Sequence, residues 1–359
     1  MPHTHIPQRG KVIVGMSGGV DSAVAAYLLR EAGLEVVGVT LRTWTETDNR
    51  CCEIGRAQET ARQLGIRYYP HNMLPAFRER VVMPFCAEYL RGHTPNPCVE
   101  CNRYVKWTGL INLADTLSAD YVATGHYARI VALADGRLCV GAAADERKDQ
   151  SYMLYRLTKD QLARTILPLG ELTKEQVREI ARKANLAVRD AADSQEICFV
   201  GEGDYASFVQ NMTKNTDAFT AGNFVDEGGN IVGRHCGIAR YTVGQRKGLN
   251  LALGRPVYVK KICAATNEVV IADDADLYAS EIFCRRLSFA SVDTPKENGE
   301  FRALVRIRYH HKGEYALVKQ KEKDLAQIVF DSPVRAPAPG QSAVFYDENS
   351  RVLGGGIIV

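Results

Sequence analysis

The sequence predicts an α/β protein in three parts: an N-terminal Rossmann-like parallel sheet, a small central β-rich domain and a C-terminal β-barrel. Its 359 residues exceed the length of a usual single domain. Strand-like and helix-like segments alternate near the N-terminus, and after about residue 205 short, evenly spaced β-like runs replace them. These changes predict domains at 1–205, 206–278 and 279–359.

The N-terminal part begins with a strand–helix–strand pattern. Lys11–Gly15 and Glu35–Thr40 are apolar runs typical of buried strands. Between them, apolar residues recur at helical spacing from Val20, and Gly33 is the expected end of that helix. Asp120–Thr124 predicts a further strand. Buried strands joined through a glycine loop and a helix are typical of a parallel sheet.

Composition and charge narrow the function classes. The 45 basic and 42 acidic residues give a net charge of +3, too small for nucleic-acid binding through bulk charge but compatible with a local basic face. No apolar run approaches the roughly 20 residues of a membrane span, and the N-terminus lacks the apolar core of a signal peptide. Ten cysteines in such a chain predict reduced thiols. We therefore expect a cytoplasmic protein without a membrane partner.

The loop after the first predicted strand carries the strongest chemical signal. Residues 17–22 have the sequence SGGVDS, directly before a helix. Glycines let the backbone approach a phosphate, and helix-start amides and serine hydroxyls donate hydrogen bonds to it. The lysine of a Walker A loop is absent. The alternative is a glycine turn without a ligand.

Three cysteines stand in motifs of their own. Cys98 and Cys101 form a C-x-x-C within TPNPCVECN, a spacing that tunes thiol pKa, binds metal or holds a cluster. A zinc knuckle needs a second such pair, which the chain does not offer at normal spacing. Cys198 ends the polar stretch DSQEIC and alone resembles a half-buried core cysteine. The adjacent Cys51 and Cys52 have no such spacing and no predicted role.

Six motifs in order give the chain a close resemblance to a known family. SGGVDS resembles the pyrophosphate loop of ATP pyrophosphatases, and TPNPCVECN, ATGHYAR, KDQSYML, DSQEICF and YTVGQRKGL follow it. Together they resemble the tRNA-specific 2-thiouridylase family over nearly the whole chain. The resemblance implies an adenine nucleotide alpha hydrolase-like N-terminal domain. It also implies a tRNA-uridine 2-sulfurtransferase.

The resemblance also implies residue roles. Cys101 would be the nucleophile, and Cys198 would carry a persulfide. ATP would bind at Gly15, Met16, Ser17, Gly18, Gly19, Val20, Asp21, Ser22, Leu41 and Gly125. Asn96, Pro97 and Cys98 would face the target uridine, and further tRNA contacts would come from His126, Lys148, Asp149, Gln150, Arg308, Tyr309 and Gln341.

The implied reaction uses ATP and Mg²⁺ to adenylate the C2 oxygen of the wobble uridine, after which sulfur replaces AMP and 2-thiouridine forms. Many family members have aspartate where this chain has Cys98. Two sulfur routes therefore stay open: the persulfide of Cys198, or a [4Fe–4S] cluster on Cys98, Cys101 and Cys198. The resemblance implies tRNAs for Lys, Glu and Gln as partners, with a cysteine desulfurase or a sulfur-relay protein as the donor.

One C-terminal strand supports RNA binding. In FRALVRIRYHH, strand alternation places Ala303, Val305, Ile307 and Tyr309 on one face and Arg302, Arg306, Arg308 and His310 on the other. A basic strand face predicts a local phosphate footprint. The alternative is the solvated outer face of a barrel strand.

Two other functions remain as alternatives. Another pyrophosphate-loop ligase, amidating or lysidine-forming, would not need two separated thiols. An ATP-gated RNA-binding protein or sulfur carrier would release no pyrophosphate when given tRNA and ATP.

Overall fold

The computed structural model describes residues 6–44, 50–191, 197–200, 204–214, 217–290 and 298–359, and of residues 50–53 the backbone alone. Residues 193–196 of the DSQEICF motif and the side chains of Cys51 and Cys52 lie outside the described residues. Within the described ranges, no helix is long and apolar enough to cross a bilayer.

The described α-helices are α1 Val20–Glu31, α2 Arg50–Leu64, α3 Leu74–Phe77, α4 Met83–Leu90, α5 Pro97–Cys101, α6 Thr108–Thr116, α7 Lys159–Ala163, α8 Lys174–Lys183 and α9 Tyr205–Thr213. Two π-helical turns, Arg78–Val82 and Asn102–Trp107, connect α3 to α4 and α5 to α6. Short 3₁₀ turns lie at Ser151–Leu154, Asp217–Phe219, Ile238–Arg240 and Asp274–Leu277.

The strands are β1 Lys11–Gly15, β2 Glu35–Arg42, β3 Arg67–Asn72, β4 Tyr121–Thr124, β5 Arg129–Ala132, β6 Leu138–Gly141, β7 Thr165–Ile166, β8 Gly222–Val225, β9 Ile231–His235, β10 Tyr258–Cys263, β11 Glu268–Ala272, β12 Tyr278–Ser288, β13 Glu300–Arg306, β14 Glu314–Glu322, β15 Leu325–Arg335, β16 Ser342–Tyr346 and β17 Val352–Ile358.

The N-terminal sheet is parallel, with strand order β3-β2-β1-β4-β7. Val12, Ile13 and Val14 of the central strand are fully buried because helices cover both faces of the sheet. The helix predicted from Val20 ends at Glu31, and Gly33 follows with a positive φ of 89°. The predicted α/β class is therefore confirmed.

The rest of the chain is rich in strands, as predicted. A four-stranded sheet of order β10-β11-β8-β9 forms the central unit, and β12-β15-β14-β13-β16-β17 close into a barrel. A small two-stranded sheet of β5 and β6 belongs to the N-terminal unit. The residue boundaries of the three predicted domains stay a prediction. The barrel packs on the N-terminal unit, since Val344 and Tyr346 share one apolar cluster with Trp107 and Tyr152.

The predicted basic face of β13 is a free surface only in part, because Arg302 is exposed and Arg306 is not. Ala303, Val305 and Ile307 are buried as expected, but the strand ends at Arg306. Arg306 donates to Asp149 Oδ2 at 2.8 Å and lies over the Tyr346 ring, in the contact between barrel and N-terminal unit. Strand alternation separates the two faces but does not show which of them another domain covers.

Candidate functional site

The loops that follow β1 and β4 meet at the carboxyl edge of the parallel sheet. Strand β1 pairs with β2 on one side and with β4 on the other, so the chain order reverses between β1 and β4. Ligands of open parallel sheets bind in the crevice at such a point. Residues 16–19 and Gly125 therefore flank the expected ligand site of this fold.

The loop 16–19 is shaped by its own hydrogen bonds. The Ser17 amide donates to Ser22 Oγ at 3.1 Å, and that hydroxyl donates to the Gly19 carbonyl at 3.0 Å. Gly18 has a φ of 78°, which favours glycine. Among the described residues no side chain caps the start of α1 at Gly19. The first-turn amides of α1 are left as donors for an anion such as a phosphate.

A buried lysine that the sequence did not reveal anchors this loop. Lys174 Nζ donates to Asp21 Oδ1 at 2.7 Å and to Oδ2 at 2.9 Å, and the Tyr127 hydroxyl donates to Oδ1 at 2.8 Å. Lys174 begins α8, 153 residues beyond Asp21. Only the tertiary fold brings it to the loop, because no local spacing links the two residues.

Gly125 lets β4 pass directly beside the loop. A Cβ atom at this position would lie 2.7 Å from the backbone of Asp21 and of Ser22. Neither backbone atom can move without reshaping the start of α1.

We expect Gly125→Ala to lower the affinity for ATP by about 10- to 100-fold, because the added methyl group displaces the anion-binding loop. Isothermal titration of ATP measures the change. Gly55→Ala is the matched control, since no described atom lies within 4 Å of its added Cβ. Equal ATP affinities of the two variants would contradict this role of Gly125.

A cavity of about 390 Å³ lies at this edge of the sheet. Its lining brings predicted nucleotide and tRNA residues together with two of the predicted thiols: Gly15, Met16, Ser17, Gly18, Gly19, Asp21, Ser22, Leu41, Gly125, His126, Gln150, Cys101 and Cys198. Val20 is buried in the core instead. The volume is ordinary for a small-molecule site.

Helix α5 presents Cys101, the second cysteine of the C-x-x-C motif, to this cavity. Asn96 caps the helix by accepting a hydrogen bond from the Cys98 amide at 3.1 Å, and Pro97 occupies the first helical position. Cys101, at the end of the helix, is only 7% exposed and lines the cavity, whereas Cys98 reaches solvent.

The π-helical turn after Cys101 adds a cation that the sequence did not reveal. Lys106 lines the cavity five residues after Cys101. That spacing does not share a face in an α-helix, but π-helical turns bond residues five apart and occur often at functional sites. Arg56 of α2 brings a second positive charge to the lining.

The second thiol is held beside an aromatic core. Cys198 is exposed and lines the cavity, whereas Phe199 is buried. The Phe199 ring packs against Phe85 and Phe77 at centroid distances of 5.1 and 5.5 Å. Aromatic packing thus fixes the residue next to the thiol.

Cys98 lies within electrostatic reach of both the cation and the second thiol. Although the Cys98 side chain reaches solvent, the protein atoms packed around it raise the pKa of its thiol, Lys106 lowers that pKa and Cys198 raises it. Even so, within the described ranges no three His, Cys, Asp or Glu side chains are close enough to hold a metal ion. A [4Fe–4S] cluster holds its thiolates farther apart than a single ion holds its ligands, so the cluster on Cys98, Cys101 and Cys198 stays a prediction.

His126 forms a half-buried part of the cavity wall. Thr124 Oγ1 and His126 Nδ1 are 2.8 Å apart, and the ring lies 5.5 Å from that of Trp107. Burial, with a smaller effect of Lys106, lowers the pKa of His126 well below its ordinary value of 6.5.

This lowered pKa predicts a loss of stability in acid. Below pH 6.5 the unfolded chain binds a proton that folded His126 does not, so stability present at neutral pH falls by up to about 1.4 kcal/mol per pH unit. Urea unfolding between pH 7 and 5 measures this slope of unfolding free energy against pH. His126→Asn should flatten the slope by up to the amount that corresponds to the binding of one proton. An unchanged slope in His126→Asn would contradict the prediction.

Several predicted tRNA contacts meet at the rim between α5 and the barrel. Gln341 Nε2 donates to the Thr94 carbonyl at 2.7 Å. Burial raises the pKa of Tyr309, and Asp149 and Cys98 raise it further, so Tyr309 lies near both. Arg308 Nη1 donates to the Arg335 carbonyl at 3.0 Å. Lys148 and Gln150 are the sequence neighbours of Asp149.

Asp149, which is predicted to contact the tRNA, lies buried in the structure. Its carboxylate is 4% exposed and accepts hydrogen bonds from the amides of Ala143 and Ser151 and from Arg306. Each of its oxygens is therefore engaged inside the protein. The neighbouring Gln150 side chain accepts from the Tyr127 amide at 3.0 Å and lines the cavity. Asp149 is placed to hold this segment rather than to reach RNA.

Comparisons with known proteins agree with the three-part architecture. The family described as tRNA methyl transferase HUP domain matches residues 10–202. Families described as tRNA methyl transferase PRC-barrel domain and aminomethyltransferase beta-barrel domain match residues 207–273 and 280–358. The fold and the loop thus define a HUP-domain protein with two appended β units.

Full-length relatives give the particular family. The chain is 47% identical to the tRNA-specific 2-thiouridylase MnmA of Lachnoclostridium phytofermentans, over 97% of this chain and 99% of the relative. It is 47% identical to the protein of that name from Carboxydothermus hydrogenoformans, over 98% of each chain. Identity to the Clostridium botulinum protein is 44%, over 97% of each. The chain belongs to the tRNA-specific 2-thiouridylase family.

Proposed function

We propose that the protein is a tRNA-uridine 2-sulfurtransferase, which replaces the C2 oxygen of the wobble uridine with sulfur and releases AMP and pyrophosphate. The observation that carries the proposal is that one and the same cavity is lined by the anion-binding loop and by the thiols of Cys101 and Cys198. In this reaction an activating nucleotide and a sulfur nucleophile must meet at one carbon atom. The printed names of the full-length relatives support the same reaction.

ATP is proposed to bind with its phosphates on the amides at the start of α1. Met16 and Leu41 give the cavity an apolar portion that suits an adenine ring. Arg56 and Lys106 add positive charge that favours a polyphosphate. ATP arrives as its Mg²⁺ complex, and the ion neutralises phosphate charge while it is held mainly by the phosphates.

The chemistry begins with activation of a poor electrophile. The C2 oxygen of uridine attacks the α-phosphorus, an O–P bond forms and pyrophosphate leaves. The terminal sulfur of a persulfide on Cys198 then attacks C2. Cys101 attacks Cys198 Sγ and breaks the S–S bond, while AMP leaves with the former C2 oxygen. The two cysteine sulfurs lose the two electrons that the transferred sulfur gains, and a dithiol reductant restores both thiols.

The tRNA is proposed to lie across the rim between α5 and the barrel. Asn96, Pro97 and Cys98 would face the target base, and Gln341, Tyr309, Arg308, Lys148, Gln150 and His126 would form or support the surrounding contacts. Asp149 is proposed to position this loop rather than to contact the tRNA directly. The substrates would be tRNAs of the Lys, Glu and Gln type.

The sulfur source is proposed to be a cysteine desulfurase or a relay protein. Cys198 is exposed, as delivery of sulfur from another protein requires. Six further cysteines whose side chains are described are free thiols: Cys86, Cys98, Cys139, Cys236, Cys263 and Cys284. Free thiols in this number suit a reducing compartment, and we propose that the protein acts in the cytoplasm.

The proposal is tested by incubating the anaerobic protein with unmodified tRNA-Glu, ATP, Mg²⁺, a cysteine desulfurase and cysteine. Mass spectrometry of the digested tRNA should reveal 2-thiouridine, and pyrophosphate should appear in equal amount. Reactions without ATP, or with the Cys101→Ser variant, should form no 2-thiouridine and should show no turnover.

Other outcomes would overturn the proposal in different ways. Pyrophosphate release with a product that contains nitrogen at the new bond would indicate another pyrophosphate-loop ligase. Binding of tRNA without pyrophosphate release would indicate an RNA-binding protein or a sulfur carrier.

A further inference from the structure

The helix that carries the C-x-x-C motif is held by an ion network from two domains. Glu100 stands on α5 between Cys98 and Cys101, and its carboxylate is 15% exposed. Arg156 Nη1, from the N-terminal unit, bonds to Glu100 Oε1. Arg286 Nη2, from barrel strand β12, donates to Glu100 Oε2 at 3.1 Å. The Glu100 carboxylate thus binds one arginine of the N-terminal unit and one arginine of the barrel.

The backbone at Arg286 is unusual in a way that favours this contact. Arg286 has a φ of 55°, a left-handed conformation that is uncommon for a residue other than glycine. The pairing of β12 with β17 shifts register between Arg285 and Ser288. A bulge of this kind redirects a side chain, and strained backbone is kept where surrounding contacts hold it.

The barrel also forms hydrogen bonds with the chain just before α5. The Thr94 amide donates to the Pro339 carbonyl at 2.8 Å, and the Thr94 carbonyl accepts from Gln341 Nε2. The barrel therefore contacts the chain on both sides of this short segment: Pro339 and Gln341 bind Thr94, three residues before α5, and Arg286 binds Glu100 within α5.

We propose that Glu100 is a positioning residue for Cys101, clamped by Arg156 and Arg286 so that the C-terminal barrel fixes where the nucleophile stands in the cavity. The inference rests on the proposed function for the role of Cys101. It adds that the barrel, which carries Arg308, Tyr309 and Gln341, directly contacts the helix that holds the reacting thiol. Engagement of tRNA by the barrel would then act on α5 directly.

Arg286→Met tests the clamp, since Arg286 is 52% exposed and its loss spares the core. Arg285→Met is the matched control, because Arg285 is 49% exposed and lies 3.8 Å from Glu322 on the barrel surface. The first readout is the rate of Cys101 alkylation by iodoacetamide without tRNA or ATP, resolved by peptide mass. Arg286→Met should raise this rate about threefold because α5 loosens. Arg285→Met, and alkylation of the exposed Cys236, should not change.

The second readout is steady-state thiolation. Arg286→Met should lower kcat on the order of tenfold with the KM for ATP unchanged, because the nucleophile is misplaced. Arg286→Lys, which keeps the charge, should recover part of the loss. An unchanged alkylation rate, or a higher KM for tRNA with kcat unchanged, would overturn the proposal and leave Arg286 as a simple RNA contact or surface residue. If the wild type forms no 2-thiouridine, the proposed function fails, whereas the alkylation rates still decide the clamp.

Discussion

Replacing Cys198 with serine is expected to lower 2-thiouridine formation by about 10⁴-fold, because an alcohol cannot carry the persulfide sulfur. ATP affinity should stay close to that of the wild type. The anion-binding loop is shaped by Ser17, Ser22 and Gly19, and Asp21 is anchored by Lys174, so neither depends on the thiol. Initial rates from nucleoside mass spectrometry and calorimetric titration of ATP measure the two quantities.

Cys236→Ser is the matched control for this experiment. Cys236 is also an exposed thiol, but it lies between β9 and the 3₁₀ turn of the central unit. Its variant should thiolate at the wild-type rate. Wild-type activity in Cys198→Ser, or equal losses in both variants, would contradict the role assigned to Cys198.

Replacing Asp149 with alanine is expected to cost about 3–5 kcal/mol of unfolding free energy, because it leaves Arg306 as an unpaired, mostly buried cation. Arg306 is 19% exposed and donates to the carboxylate at 2.8 Å. The amides of Ala143 and Ser151 lose their acceptor as well. Urea unfolding followed by tryptophan fluorescence measures the loss, since Trp107 lies in the apolar cluster between the barrel and the N-terminal unit.

Arg302→Met, on the same strand as Arg306, is the control variant for this measurement of unfolding free energy. Arg302 is 62% exposed and pairs with the exposed Asp331, so its loss should cost less than about 1 kcal/mol. Asp149→Asn should lie between the two, because it keeps an acceptor but loses the charge. A cost for Asp149→Ala no larger than that for Arg302→Met would refute the buried role of Asp149.

Features encoded locally could be predicted from the sequence. The strands β1, β2 and β4 are short apolar runs next to glycines, and their burial follows directly from that pattern. The segment at residues 17–22 is recognisable from the sequence, because its glycines and serines all help the backbone to approach and bind a phosphate.

Features that depend on distant contacts could not be predicted in this way. Arg302 and Arg306 look equivalent in the alternating strand, but only Arg306 meets a carboxylate 157 residues away. Lys174 reaches Asp21 across a similar separation. Lys106 was missed because the spacing from Cys101 shares a face only where the helix becomes π-helical.

The most direct test of the central claim, that Cys101 and Cys198 act together on a nucleotide-activated base, is a single turnover of persulfide-loaded protein. Loaded protein is mixed with unmodified tRNA, ATP and Mg²⁺ without reductant, and its peptides are analysed by mass spectrometry. The account predicts one Cys101–Cys198 disulfide for each 2-thiouridine formed, with the extra sulfur atom gone from Cys198. Formation of 2-thiouridine while both thiols remain free would contradict it.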